Sequence, residues 1–183
     1  MTTIIETQRL ILRTWKHSDL DLMLEINQDP KVMEYFPSLQ DLSGTKKLID
    51  KINTHFSECG YSLYAVQTKD TDTFIGFIGL LTANFKASFT PATEIGWRLS
   101  SKHWNKGYAT EGAKSVLDYA FNSLNIPEII SFTSIENTKS TRVMEKIGLK
   151  HNPSDDFDNP NLPSDSPLLR HVLYRLKKIE YHS

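Results

Sequence analysis

At 183 residues, the chain is long enough for one domain with a full hydrophobic core and too short for two comfortable ones. Its 21 Lys and Arg balance 22 Asp and Glu, and a formal charge of −1 excludes a strong whole-molecule field for nucleic acid or an anionic membrane. Cys59 is the only cysteine, which excludes an internal disulfide and a cysteine-rich zinc site; the expectation is a buried free thiol in a reducing compartment.

The 6 histidines lack paired spacing, so no metal is expected. Residues 1–15 carry Glu6, Arg9 and Arg13 among their apolar positions, which is neither a signal-peptide core nor a spanning segment. A cytoplasmic location, with no membrane or nucleic-acid partner, follows as the expectation.

In chain order, Arg9 to Trp15 reads as a short strand, and Ser18 or Asp19 can cap a helix carrying Leu20, Met23, Leu24 and Ile26. Leu42, Thr45, Leu48, Ile49, Ile52 and Phe56 trace one face of a second helix that Gly60 can end. Tyr61–Gln67 and Phe74–Thr82 are β-branched and aromatic runs joined by a polar turn, hence two antiparallel strands. Ala92–Leu99 alternates, with Glu94, Gly96 and Arg98 on one face and Ile95, Trp97 and Leu99 on the other.

From Gly107 onward, apolar residues recur three or four apart as far as Leu124, predicting a long helix with one buried stripe. Glu128–Ile135 is a further strand. Asn137 can cap a helix over Thr138–Ile147 that Gly148 closes. Residues 153–167 hold four prolines among Ser, Asp and Asn and are expected to form a loop insertion within the single domain 1–183. His171–Leu176 is expected as an edge or hairpin strand. The order of elements predicts a mixed α/β domain around one sheet, with its chemistry where a strand ends at a helix N-terminus.

That junction is Ser100 to Thr110, SSKHWNKGYAT. The first N–H groups of a helix have no internal partner and point outward at the positive end of the helix dipole, so they suit a pyrophosphate. Gly107 and Ala109 let a ligand come close, Lys106 adds charge and Thr110 a hydroxyl. Neither a P-loop nor a dinucleotide-binding fingerprint is present.

The loop Trp104-Asn105-Lys106-Gly107-Tyr108-Ala109 resembles the coenzyme A loop of the GCN5-related N-acetyltransferases (GNAT), Q/R-x-x-G-x-G/A between the fourth strand and the third helix. Trp104 departs from the usual Gln/Arg and Asn105 from a common Gly. Both departures are similar to the branch of ribosomal-protein N-terminal (Rim-type) acetyltransferases. Four other blocks resemble that branch in its order: TQRLILR at 7–13, DPKVM at 29–33, EIGWRL at 94–99 and NTKSTRVMEKIG at 137–148.

The resemblance implies a mostly antiparallel twisted sheet, splayed between the fourth and fifth strands and flanked by helices. It implies an N-acetyltransferase that moves an acetyl group from acetyl-CoA to a primary amine, a protein N-terminus or a small molecule, by direct attack in a ternary complex. Pantetheine would pair with the backbone of Trp97, Arg98 and Leu99. The phosphates would meet the amides of Trp104, Asn105, Lys106, Gly107, Tyr108, Ala109 and Thr110, with Asn137 and Ser140 also touching the coenzyme.

Glu94 matches a carboxylate general base, and it also reads as a strand carboxylate paired with Arg98. The tyrosine acid usual in the family is replaced by Met144, which leaves Ser140 as first substitute and Tyr108, His171 and Tyr174 behind it. That replacement motivates an alternative, a non-catalytic acetyl-CoA-binding sensor. Monomer and homodimer both stay open.

Overall fold

We describe a computed structural model covering residues 1–181. One sheet carries nine strands: β1 (Thr3–Glu6), β2 (Leu10–Arg13), β3 (Leu63–Thr68), β4 (Phe74–Ala83), β5 (Ala92–Leu99), β6 (Glu128–Ser134), β7 (Lys150–His151), β8 (Phe157–Asp158) and β9 (Arg170–Lys177). The spatial order is β1-β2-β3-β4-β5-β6-β9-β7, with β8 also on β9. Every pairing is antiparallel except β5 with β6, which run parallel and share a single Cα pair, Glu94 with Ile130. The mixed α/β class and the splayed, mostly antiparallel sheet agree with the expectation. An extra N-terminal strand makes the splayed pair the fifth and sixth strands.

Four α-helices flank the sheet: α1 (Asp19–Asn27), α2 (Leu42–Cys59), α3 (Tyr108–Asp118), extended by a π turn over Tyr119–Ser123, and α4 (Thr138–Lys146). Alternation along the strands divides their burial. On one face Leu12, Val66, Ile78 and Ile95 join Ala113, Val116, Leu117 and Phe121 of the α3 segment in the main core. On the other, Met23 and Ile26 of α1 and Ile49 and Ile52 of α2 close over Leu63, Ala65 and Phe77.

Three expectations are corrected. Of the two readings of the last strand the edge one fails: β9 pairs with β6 on one side and with β7 on the other, and with β8, the strand before it in the chain, it forms an antiparallel pair. Cys59 is exposed, since α2 runs through it to Gly60 and turns its last residue to solvent. Ser18 sits at the N-cap of α1 but its side chain makes no capping bond. Asp19 instead accepts from the backbone N–H of Lys16 at 2.7 Å and from the Arg13 guanidinium at 2.7 and 2.9 Å.

The Arg13–Asp19 pair is 2% exposed on both sides. Two charges so far from water are tolerable only because the contact is bidentate and Asp19 has a further donor. Removing one partner strands the other in the core. Asp19→Ala should therefore cost about 3 kcal/mol of folding free energy in a urea titration, whereas a loss below about 0.5 kcal/mol, the range of ordinary surface changes, would mean the pair is idle.

Candidate active site

Where β5 and β6 part, a cavity of about 790 Å³ opens between them. The divergence leaves the outer edge of β5 without a strand partner after Glu94. Below that point the Ser131 hydroxyl, which donates to the Ile95 carbonyl at 2.9 Å, still bridges the two strands. Glu94, Trp97, Arg98, Leu99, Trp104, Asn105, Gly107, Tyr108, Ala109, Thr110, Asn137 and Ser140 all line the cavity. Of the expected catalytic and coenzyme-binding residues only Lys106, whose side chain is exposed, lies outside the cavity lining.

The loop before α3 has the backbone that its sequence suggested. Asn105 and Gly107 take left-handed conformations, φ 60° and 81°. A side chain at Gly107 would be conformationally strained and would come 3.4 Å from Arg9 Nη2. Glu111 N–H is the first to bond back into the helix, to the Gly107 carbonyl at 3.0 Å. Among the described residues, the N–H groups of Asn105 to Thr110 have no hydrogen-bond acceptor. Six donors at the positive end of a helix fit a diphosphate.

An ionic tie that the sequence reading did not connect holds this loop. Glu111, in the first turn of α3, accepts from the Thr7 hydroxyl at 2.6 Å, from Arg9 N–H at 2.9 Å and from Arg9 Nε at 2.6 Å. Arg9 Nη1 donates to the Lys106 carbonyl at 2.9 Å, and its guanidinium lies 4.7 Å from the Tyr108 ring centroid. These hydrogen bonds hold the Glu111 carboxyl below its ordinary range against the opposing effect of burial. Arg9 stands in the block at 7–13, and Glu111 follows directly on the segment that ends at Thr110. Nothing local signalled that they meet.

Glu94 and Arg98 do share a face, but they do not form a pair. Arg98 donates to Asn27 Oδ1 at 2.7 Å and lies between the rings of Phe36 and Phe77, 4.1 and 5.5 Å from their centroids. Burial pulls its guanidinium down to about 10. Glu94 has no hydrogen-bond or ion-pair partner among the described residues, and burial pushes its carboxyl up to about 8, with Lys51 pulling the other way. Gly96, the next residue on that face, leaves open space: a side chain there would meet only Glu94 Oε1, at 3.9 Å.

The other candidates divide. Asn137 caps α4 through Oδ1, which accepts from Ser140 N–H at 3.2 Å, and its amide donates to the Thr133 hydroxyl at 3.0 Å. The Ser140 hydroxyl has no such engagement among the described residues. Trp104 donates its indole N–H to the Leu99 carbonyl at 2.9 Å, so that carbonyl already has one partner. Met144 is buried in the core, away from the cavity. Tyr174 donates to Glu145 at 3.2 Å and does not line the cavity, whereas His171 does. Asn159, Asn161 and Leu162 of the 153–167 insertion form part of the wall, which its composition does not signal.

A family model described as an acetyltransferase (GNAT) domain matches residues 9–150. The chain belongs to the GNAT acetyltransferase family. It is 33% identical over 147 residues to the uncharacterized N-acetyltransferase YnaD of Bacillus subtilis, covering 80% of this chain and 82% of that one. A GNAT-family acetyltransferase from Bacillus anthracis superposes with a TM-score of 0.78 at 28% identity, over 96% of this chain and 99% of the other. A spermidine N-acetyltransferase from Vibrio cholerae, solved with CoA and spermine, has the same fold at TM-score 0.74 and 19% identity, over 95% and 98%. The protein is an acetyl-CoA-dependent acyltransferase, and the sensor alternative falls away.

The raised Glu94 carboxyl has a consequence for stability. Its folded pKa, about 8, lies above the ordinary 4.5, so the folded state keeps a proton that the unfolded chain has released. That contribution is complete below about pH 4.5 and is lost as pH rises through about 8. Glu94→Gln should be more stable than wild type at about pH 9, with the difference shrinking toward about pH 4. Urea titrations across that range that give a constant difference would contradict the raised value.

Proposed function

We propose that the protein transfers an acetyl group from acetyl-CoA to a primary amine, by direct attack within the splayed cleft. The observation that carries this reading is the juxtaposition of six free main-chain donors before α3 with an unpartnered carboxyl on β5, in one cavity. The amides of Asn105 to Thr110 would hold the diphosphate, with the exposed Lys106 side chain adding charge. The open edge of β5 at Trp97, Arg98 and Leu99 would take the pantetheine amides as an added strand. Asn137 would contact the coenzyme through its remaining amide hydrogen.

Glu94 is the base in this reading. It takes a proton from the acceptor ammonium, and the freed lone pair attacks the acetyl carbon. A C–N bond forms and the C–S bond breaks. The attacking nitrogen sheds its second proton as it becomes an amide, and the coenzyme leaves as a thiolate that takes up that proton through the Ser140 hydroxyl, which ends the step neutral. A carboxyl near 8 is matched to an α-amine of roughly 8, so the proton moves almost without a free-energy gap; a lysine-like amine near about 10.4 asks more. The Ser140 hydroxyl, lining the cavity without another partner, is the group we assign to the leaving sulfur. A protein N-terminus and a small amine both satisfy this chemistry.

Acetyl-CoA should raise the melting temperature, and free thiol should appear when an accepted amine is added. Stabilisation without thiol release from any amine would overturn transfer. For an accepted amine, kcat should rise toward a plateau with an apparent pKa near 8. Glu94→Gln should remove that limb and lower kcat about 100-fold while leaving coenzyme affinity unchanged. Unaltered turnover in the variant would remove Glu94 from the base role.

A further inference from the structure

The cleft beyond Glu94 carries information about what the acceptor looks like after its amine. Glu94 stands opposite Leu81 in the β4–β5 register, and Leu81 packs with Leu48 against the α1–α2 layer. On this side of the cavity an amine at Glu94 would extend under α2 and the segment joining α1 to α2. The walls there are Tyr35, Phe36, Leu48 and Leu81, with Phe132 and Leu162 on the far side. Asn159 and Asn161 are the neutral polar groups of the same wall.

Charge in this region has one sign. Glu94 is the sole carboxylate among the described cavity-lining residues, against Lys31 and Arg98 toward the α1–α2 side. Two acids stand outside the lining: Asp29 accepts from the Ser101 hydroxyl, and the half-exposed Glu34 lies beside Tyr35 and pairs with Lys139 at 3.6 Å. Arg98 has no carboxylate partner among the described residues, and its Nε is buried without any acceptor. A second ammonium on the acceptor would meet the buried Arg98 guanidinium and, nearer solvent, Lys31, with no second carboxylate lining the cavity to receive it. An apolar body would instead displace water from aromatic and aliphatic walls.

We infer that the acceptor is a primary amine carried on an apolar, uncharged body, and that polyamines are rejected by charge. This rests on the acetyl-transfer reading for its chemistry, although the cleft's preference is measurable without turnover. The likeness to the spermidine enzyme is one of fold and does not bring its acceptor with it. A free arylalkylamine and a peptide with an apolar N-terminal residue both present the required chemistry.

The test compares phenethylamine, a peptide amide beginning with phenylalanine, and spermidine. Each is measured for thiol release with acetyl-CoA and, by calorimetry, for binding to the protein loaded with coenzyme A. At least one apolar amine should exceed spermidine about tenfold in kcat/KM and in affinity; which of the two leads identifies the source. Equal or better use of spermidine in either measurement overturns the inference, as does failure of both apolar amines to bind at millimolar concentration. Absence of thiol release from all three, with selective binding of an apolar amine retained, would strike the transfer reading and uphold this one. Leu48→Glu should narrow the preference at least about threefold more than Leu48→Gln does, which separates the added charge from the lost apolar wall; equal effects of the two variants would overturn the role given to charge.

Discussion

A parallel strand pair normally continues its evenly spaced hydrogen bonds along both strands; β5 and β6 meet at Glu94 and Ile130 and then part. Everything the site contains follows from that divergence. It frees one backbone edge of β5, opens the volume between the two halves of the sheet, and leaves Glu94 at the apex with protein around it and no partner. The halves stay together because one core beneath the sheet, packed against the α3 segment, takes residues from both of them, while α1 with α2 close over the first half. The cleft is therefore held open by well-packed elements rather than by a mobile loop.

The same geometry explains the electrostatics. A carboxyl at the bottom of a fork is shielded from bulk water on several sides, and the one guanidinium on its face is turned away to Asn27 and two phenylalanine rings. Had Arg98 paired with Glu94, the carboxyl would have been pulled down rather than pushed up, and the proposed base would be far from neutrality. Asn27, fully buried and also hydrogen-bonded to Thr45 at 3.0 Å, thus has an indirect influence on the proton chemistry next to it.

Elements with strong periodicity were legible before the fold was known. The stripe of α3, the alternation of β5 and the glycine that ends α2 emerge as expected. Weaker signals failed for physical reasons. β1 is four residues at a sheet edge with little burial, and β7 and β8 have two residues each, so no pattern could announce them or show that β9 is flanked on both sides. At the site, residue types and loop position were readable because backbone donors at a helix start depend on local sequence. Partners were not: Arg98 finds Asn27 across 71 positions, and the wall built by Asn159 to Leu162 depends on where the chain returns.

The tie between Arg9 and Glu111 spans 102 positions. During synthesis, the first strands emerge long before α3 exists, so the turn around Gly107 cannot acquire its final support until the chain has extended well past the middle. Closing so long a separation carries an entropic cost that only the assembled sheet can offset. The loop before α3, though short and local in sequence, therefore depends on a contact that a nascent chain stopped before residue 111 does not yet contain.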